Sequence, residues 1–246
     1  MKYFWKHKDN IPEGMGYGQF SIKHLMWLIL TISLIVGVVF LYGQLEPSSR
    51  ITLLRAIGAT LIIIDIIKMV LIYHSDVVFS DYLPLELCSF AAYFIVCDSI
   101  WIGNDIFPEM LLTMFLPAAI MAILVPTTST LPAINFYTIH QFLYHGLIIA
   151  YVMTRFLYGE IPLSYPGVWK SILQIIMLAT VIYIIDTVFN KNFMFLRDTY
   201  DNALLNVIWK ITGGGIKYTG GLVCFCIIMI HVFFIIFKLI ELLLFS

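Results

Sequence analysis

The chain has 246 residues, of which 61% are hydrophobic and 12% are charged. This much apolar surface exceeds what a water-facing globule can bury, so the composition excludes an ordinary soluble domain and indicates a polytopic membrane protein. The 14 Lys and Arg residues nearly balance the 15 Asp and Glu residues, which leaves no basic surface for phosphates and excludes nucleic acid as a partner.

Seven apolar segments are long enough to cross a bilayer, which requires about 20 residues of helix. The predicted spans cover residues 20–42, 49–73, 84–102, 106–125, 135–157, 166–189 and 218–244. Prolines mark five of the predicted starts, at Pro47, Pro84, Pro108, Pro132 and Pro162. Pro117 lies inside the fourth span and predicts a kink there. We therefore expect an all-α fold in which residues 1–246 form one transmembrane domain, a bundle of seven helices.

The connection after the sixth span is the longest polar one, and it carries apolar residues at helical spacing. Leu204, Leu205, Ile208 and Trp209 share one face of a helix. A short amphipathic helix of this kind is typical of a membrane interface. We therefore expect this segment to lie along the membrane surface.

The distribution of basic residues predicts the orientation, because cytoplasmic loops are enriched in Lys and Arg. The side that holds the N-terminus, here the N-terminal side, carries Lys2, Lys6, Lys8, Lys23, Lys191, Arg197, Lys210 and Lys217. The other side carries Arg50, Arg55, Arg155, Lys170 and Lys238. The excess favours a cytoplasmic N-terminus in the cell membrane.

The four cysteines predict neither a disulfide framework nor a metal site. Cys88, Cys97, Cys224 and Cys226 form no C-x-x-C pair, and each stands in an apolar run. No other motif indicates a bound group, so we expect the protein to use no cofactor.

Polar and ionisable residues inside a span are costly and by default indicate a function. When the spans are threaded alternately through the bilayer, most of these residues fall near the N-terminal side. They are Asp65 and Lys68 of the second span, Glu86 and Cys88 of the third, His140 and His145 of the fifth, and Asp186 of the sixth. Asp98, Arg155 and Gln174 fall in the opposite half, where the pattern is less organised. A polar cavity open to the N-terminal side is expected.

Helix geometry indicates which of these residues share a face. Gln141 and His145 are four residues apart, so the amide can orient the imidazole, whereas His140 points elsewhere. Glu86 and Cys88 are two residues apart, which makes Glu86 a poor base for that thiol. Lys68 can pair with Asp65 on its own helix or with Glu86 across the hairpin, and either pair can be purely structural.

The residues alone leave two interpretations open for the cysteine and the histidine. A buried free cysteine usually acts as a small hydrophobic residue, so Cys88 is either a packing residue or a nucleophile. A histidine near mid-membrane must find a partner, so His145 is either a packing residue or a base.

Four segments occur together in a recognisable order: LPLELCSF (83–90), AILVPT (122–127), QFLYHGLII (141–149) and NFMFL (192–196). With them, from about residue 14 to residue 240, the chain resembles the YwaF-like integral membrane proteins of bacteria. Those proteins are similar to a eukaryotic transmembrane acyltransferase that transfers polyunsaturated acyl chains to ether lysophospholipids. The resemblance implies a seven-helix bundle and a reaction on membrane lipids.

The resemblance also implies roles for individual residues. The cysteine of the third helix and the histidine of the fifth, which the eukaryotic protein is thought to use, match Cys88 and His145 here. The predicted substrate cavity around them comprises Gln141, Asp65, Lys68, Glu86, His140, Asp186 and Asn192. The chain departs from the family pattern at Glu86, where His is frequent, at Thr127, where Asp is frequent, and at Asp186, where Asn is frequent.

Two functional hypotheses follow. In the first, the protein is a lipid acyltransferase or lipid esterase whose partners are phospholipid and lysophospholipid, with Cys88 carrying the acyl group and His145 as general base. In the second, it is a non-enzymatic transporter or binding protein for a small solute, and Asp65, Lys68 and Glu86 line its charged cavity together with Asp186.

Overall fold

The computed structural model of the protein describes residues 2–200 and 202–245, so positions 1, 201 and 246 of the predicted domain lie outside the described residues. All regular elements in the described part are helical. They are α1 (Ile22–Gln44), α2 (Pro47–Tyr73), α3 (Leu87–Ile100), α4 (Phe107–Leu124), α5 (Phe136–Leu157), α6 (Tyr165–Phe189), α7 (Ala203–Thr212) and α8 (Gly215–Phe245). Short 3-10 turns occur at Lys8–Asn10, Phe79–Tyr82 and Phe193–Phe195.

The long helices run alternately between two ends of the bundle. At the N-terminal end, the backbone N–H of Tyr17 donates to Leu131 O at 2.9 Å, and that of Met194 donates to the Glu86 carboxylate at 2.8 Å. At the other end, here the far end, the Tyr42 hydroxyl donates to Glu160 at 2.5 Å. Helix α8 joins the same two ends, because Tyr218 near its start donates to Phe195 O and Lys238 near its end donates to Leu163 O.

Five of these helices are long and apolar enough to cross a membrane, namely Ile22–Gln44, Pro47–Tyr73, Phe107–Leu124, Tyr165–Phe189 and Gly215–Leu244. The protein is therefore a multi-pass helical membrane protein. All seven predicted spans coincide with helices, but two do not meet these criteria. Helix α3 has 14 residues, a length of about 21 Å, and α5 is rich in polar residues although it has 22 residues.

The polar residues of α5 are explained by its position in the bundle. It packs against α1, α2, α3 and α4, and its Tyr144, His145, Tyr151 and Arg155 are all buried. Because other helices surround it, α5 does not need an apolar face toward lipid. The outer helices α1 and α8 instead expose large apolar side chains such as Phe40 and Leu243.

Helix α4 has an irregular centre. Residues Leu111–Phe115 form a π turn directly before Pro117. Proline lacks the N–H that would bond to the carbonyl four residues earlier, so the preceding turn must deviate from α geometry. A π turn is thus present next to Pro117, and the kink itself stays a prediction.

Helix starts follow from local capping chemistry. The side chains of Ser21, Asn135, Ser164 and Asn202 each accept a hydrogen bond from a backbone N–H in the first turn of α1, α5, α6 and α7. Helix α7 covers the predicted amphipathic segment and ends at Gly213, which has a φ of 82°. Its location at a membrane interface remains a prediction.

Candidate active site

A cavity of about 510 Å³ opens within the N-terminal end of the bundle. Its inner walls are apolar and come from α4, α6 and α8. They include Met114, Pro117, Met121, Ile175, Ala179, Leu222, Met229 and Ile230. Its polar wall comes from α2, α3 and α5. The cavity thus combines a polar region with a space suited to hydrocarbon.

Six of the nine predicted site residues line this cavity: Lys68, Glu86, Cys88, His140, Gln141 and His145. Asp65 lies in the wall beside them and lines a second cavity of about 370 Å³ between α2 and α3. The helices therefore bring together residues that are up to 80 positions apart in sequence, counted from Asp65 to His145.

Asp186 and Asn192 lie behind the cavity wall and organise a loop. Asp186 is buried, and its Oδ1 accepts from the backbone N–H of Phe193 at 2.9 Å. The Asn192 side chain accepts from the backbone N–H groups of Arg197 and Asp198 at 2.8 and 3.1 Å. This loop brings Met194, Phe195 and Leu196 to the cavity. The two residues thus shape the lining without belonging to it.

Cys88 is the second residue of α3 and is half-buried. Its backbone carbonyl accepts a hydrogen bond from the Tyr144 hydroxyl at 3.4 Å. Its thiol makes no hydrogen bond to any described residue, His145 included. The cysteine and the histidine therefore line one cavity without being joined to each other.

His145 is 7% exposed, and its Nδ1 lies 2.6 Å from the backbone carbonyl of Gln141. We expected the Gln141 side-chain amide to orient this ring. The backbone carbonyl does so instead, because the carbonyl four residues earlier in a helix lies within reach of Nδ1. The Gln141 amide donates to Ala122 O at 2.8 Å. With Nδ1–H donated to the carbonyl, Nε2 carries the free lone pair of the neutral ring.

The charges of the polar wall are paired locally. Lys68 forms an ion pair with Asp65 rather than with Glu86, and both partners face the bundle interior as predicted. His140 Nε2 lies 3.8 Å from Asp65 Oδ1. Glu86 accepts instead from the backbone N–H of Met194. Lys68 and Asp65 therefore neutralise each other beside His140, whose Nε2 is too far from the carboxylate for a hydrogen bond.

Two tyrosines of this wall were not among the predicted site residues. Tyr137 and Tyr144 line the cavity with His140, Gln141 and His145. The five residues occupy positions i, i+3, i+4, i+7 and i+8 of α5, which is one face of a helix. The expectation that His140 points elsewhere than Gln141 and His145 was therefore wrong, because one helix face is wide enough to hold all three. The polar stripe that the five residues form in an otherwise apolar span could have indicated both tyrosines from the sequence.

The N-terminal segment lies across the cavity mouth. The backbone N–H of Phe136 donates to Phe4 O at 2.8 Å, and the Asn135 amide donates to Tyr3 O at 2.7 Å. His7 is 5% exposed, and its ring packs edge-on against Tyr82 and Tyr137. Burial lowers the pKa of His7 from its usual value, and the nearby Asp9 carboxylate opposes this effect.

The far end holds a polar cluster of a different kind. Arg155 forms an ion pair with Asp98, and its Nε donates to Glu160 at 3.2 Å. The Tyr151 hydroxyl also donates to Asp98, at 2.6 Å. We expected this half to be less organised, and that was wrong: the sequence pattern does not show that α3 and α5 pack closely enough to join residues 57 positions apart.

Among the described residues, no group of three or more His, Cys, Asp or Glu is arranged to hold a metal ion. A comparison with curated proteins and one with solved structures each give no match. The model of the TMEM164 family matches residues 19–241, which is most of the chain. The protein therefore belongs to the TMEM164 family.

Proposed function

We propose that the protein is a membrane-embedded lipid acyltransferase or lipid esterase, with Cys88 as nucleophile and His145 as general base. One observation carries the proposal. Cys88 and His145 line the same cavity, and the contact of His145 Nδ1 with Gln141 O leaves Nε2 as its proton acceptor. A thiol and an oriented imidazole in one cavity are the minimal set for acyl transfer through a thioester.

The reaction proceeds in two steps. In the first, the thiol loses its proton to His145 Nε2, and the sulfur attacks the ester carbonyl of a phospholipid. The C–S bond forms, the ester C–O bond breaks, and the imidazolium returns its proton to the leaving alcohol. In the second, the hydroxyl of a lysophospholipid or of water attacks the thioester and releases the thiol. The apolar walls around Met121 and Met229 would hold the acyl chain.

The thiol and the imidazole make no hydrogen bond to each other, so substrate binding has to bring them together. Catalytic hydrogen bonds are often long in ligand-free enzymes and shorten when substrate binds. Cys88 lies in the first turn of α3, where the backbone N–H groups of Leu87 and Cys88 make no hydrogen bond to any described residue. Those N–H groups would stabilise the oxyanion as the carbonyl is attacked.

The proposal includes the membrane arrangement. Helices α3 and α5 cross the membrane with the five long apolar helices, which makes seven spans, and the N-terminus is cytoplasmic in the cell membrane. The resemblance of the four sequence segments to YwaF-like proteins, and through them to a lipid acyltransferase, supports a phospholipid donor and a lysophospholipid acceptor.

A thioester assay tests this function. Purified protein in phospholipid nanodiscs should gain the mass of one acyl chain, and hydroxylamine should remove it. Cys88→Ala should abolish the adduct. His145→Gln should slow its formation by about 100-fold or more, because general-base catalysis contributes typically 10²–10⁴-fold.

Two other cysteines supply matched controls. Cys226 lines the same cavity and is half-buried, whereas Cys97 is exposed on the outside of the bundle. Cys226→Ala and Cys97→Ala should keep the adduct, since their thiols have no histidine on the same wall. An adduct that persists in Cys88→Ala would show nonspecific acylation and would exclude this mechanism.

The transporter hypothesis predicts the opposite pattern. A solute pathway should tolerate Cys88→Ala and fail when its charges are removed. Lys68 and Glu86 line the cavity, which is the observation that favours this alternative. A solute-flux assay on Cys88→Ala and Lys68→Met vesicles separates the two functions: flux lost only in Lys68→Met would indicate transport.

A further inference from the structure

His140 is a second histidine in the cavity, and the reaction described above does not use it. Its Nε2 faces Asp65 Oδ1 at 3.8 Å, and the two side chains are 10% and 8% exposed. Both atoms are buried and make no hydrogen bond of normal geometry to any described residue. Lys68 contacts the same carboxylate oxygen. His140 Nε2 thus faces a buried carboxylate whose charge is balanced by Lys68.

The ring of His140 is also held from the side. It stacks on Tyr144 with centroids 5.0 Å apart and planes inclined by 15°. The hydroxyl of the same Tyr144 donates to the backbone carbonyl of Cys88. The imidazole is therefore separated from the Cys88 backbone by a single tyrosine side chain, on the wall that both residues share.

The two cavity histidines are arranged in a complementary way. His145 engages Nδ1 and leaves Nε2, whereas His140 directs Nε2 to Asp65 and leaves Nδ1. A carboxylate that faces one imidazole nitrogen favours the tautomer with the proton on that nitrogen, so that the other nitrogen can accept a proton. Its negative charge also stabilises the imidazolium that then forms. At 3.8 Å the Asp65 carboxylate acts on His140 through its charge and not through a hydrogen bond. His145 has only a backbone carbonyl in this role. His140 thus has a nearby carboxylate that His145 lacks, and the first step does not use His140.

We propose that His140, positioned by Asp65, accepts the proton of the incoming alcohol in the second half of the reaction. This rests on the proposed function. The acceptor hydroxyl gives its proton to His140 Nδ1 while its oxygen attacks the thioester carbonyl. The C–O bond forms and the C–S bond breaks. The Cys88 thiolate then takes the proton from the imidazolium, which restores both groups.

A two-stage assay separates the steps. Protein is first loaded with a radiolabelled phospholipid until thioester appears, and lysophospholipid is then added while thioester decay is followed. In His140→Gln we expect loading within about twofold of the unchanged protein, because His145 performs that step. Thioester decay should slow by about 100-fold, the lower end of what a general base supplies. The loading stage itself shows that the variant is folded.

Two further variants test the mechanism of the effect. His140→Ala should regain thioester decay when imidazole is added to the buffer, which a purely structural role would not produce. Asp65→Asn should slow decay but not loading, because the ring loses the carboxylate that stabilises its charged form. His231 is the matched control: its Nδ1 contacts Ile227 O at 2.9 Å in α8, and His231→Gln should leave both stages unchanged.

The outcomes are distinct. Absence of a thioester in the unchanged protein would overturn the proposed function and this inference with it. A thioester that decays at the normal rate in His140→Gln would overturn this inference alone. Loss of loading in His140→Gln would also overturn it, since His140 would then act in the first step.

Discussion

The two ends of the bundle hold buried charge in opposite ways. At the far end, Asp98 is fully buried and is satisfied by Arg155 and Tyr151. At the N-terminal end, the Asp65 and Lys68 pair borders a cavity, and nearby buried polar atoms such as Tyr137 Oη and His140 Nε2 make no hydrogen bond to any described residue.

A satisfied polar network makes a structure rigid, whereas unsatisfied groups have free hydrogen-bonding capacity and cost free energy until a ligand uses it. The charged cluster at the far end is therefore closed, whereas the N-terminal end keeps free hydrogen-bonding capacity, as the proposed function requires. The following variants test this distinction.

Arg155→Met should have the largest effect on stability. It leaves Asp98 buried without its ion-pair partner, and breaking a buried pair in this way costs about 3–5 kcal/mol. The free energy of unfolding, measured in detergent with a mild denaturant, should fall by this amount. The double variant Arg155→Met with Asp98→Leu should recover part of the loss. A single variant as stable as the unchanged protein would show that the far end is not a structural cluster.

Lys68→Met should cost less, roughly 1–3 kcal/mol, because Asp65 keeps His140 beside it and the cavity can admit water. The same unfolding measurement applies. Its effect should be smaller than that of Arg155→Met. The reverse order would contradict the division between the two ends.

Two tyrosines on α5, one at each end of the bundle, allow the same substitution, Tyr to Phe, to be compared between the two ends. Tyr151→Phe removes a hydrogen bond to Asp98 and should cost about 1.5–3 kcal/mol. Tyr137→Phe removes a buried hydroxyl that bonds to no described residue, so stability should stay the same or rise by up to about 1 kcal/mol. If both variants lose equal stability, Tyr137 has a partner at the N-terminal end.

Acid should weaken the docking of the N-terminal segment through protonation of His7. We expect this to be the smallest of the four effects on stability. Burial holds the folded pKa of His7 below its unfolded value of about 6.5. The unfolded state then binds more protons as the pH falls, so docking is fully stable above pH 6.5 and weakens as the pH falls through the folded pKa.

Hydrogen exchange between pH 7.5 and pH 5 measures this effect. After correction for intrinsic rates, the amide of Phe136, which donates to Phe4 O, should exchange faster in acid. His7→Phe keeps a ring between Tyr82 and Tyr137 and should remove the pH dependence. Protection that stays constant in the unchanged protein would show that His7 does not control docking.

Much of the fold was predictable from the sequence because each outer helix needs an apolar surface toward lipid. The seven predicted spans all coincide with helices, and a π turn lies next to Pro117. Composition alone does not give the number of helices that cross the membrane, because α5 buries polar residues inside the bundle and α3 is short.

The candidate site was partly predictable. The depth of Lys68, Cys88 and His145 along their spans placed them at one end, and they line one cavity. Which groups bond to each other was not predictable, because hydrogen bonds depend on helix rotation and on angstrom distances. Sequence spacing therefore assigned the orientation of His145 to the Gln141 amide, although the backbone carbonyl of that residue makes the contact.

The sequence by itself determined that this chain is a helical membrane protein with its polar residues gathered toward two ends, since hydropathy and helical length depend only on composition and order. Tertiary structure decided which end became a closed network and which became a cavity. The reason is that both ends contain similar charged residues. Helix packing alone determines that Arg155 reaches Asp98 at the far end, whereas His145 faces a cavity at the N-terminal end.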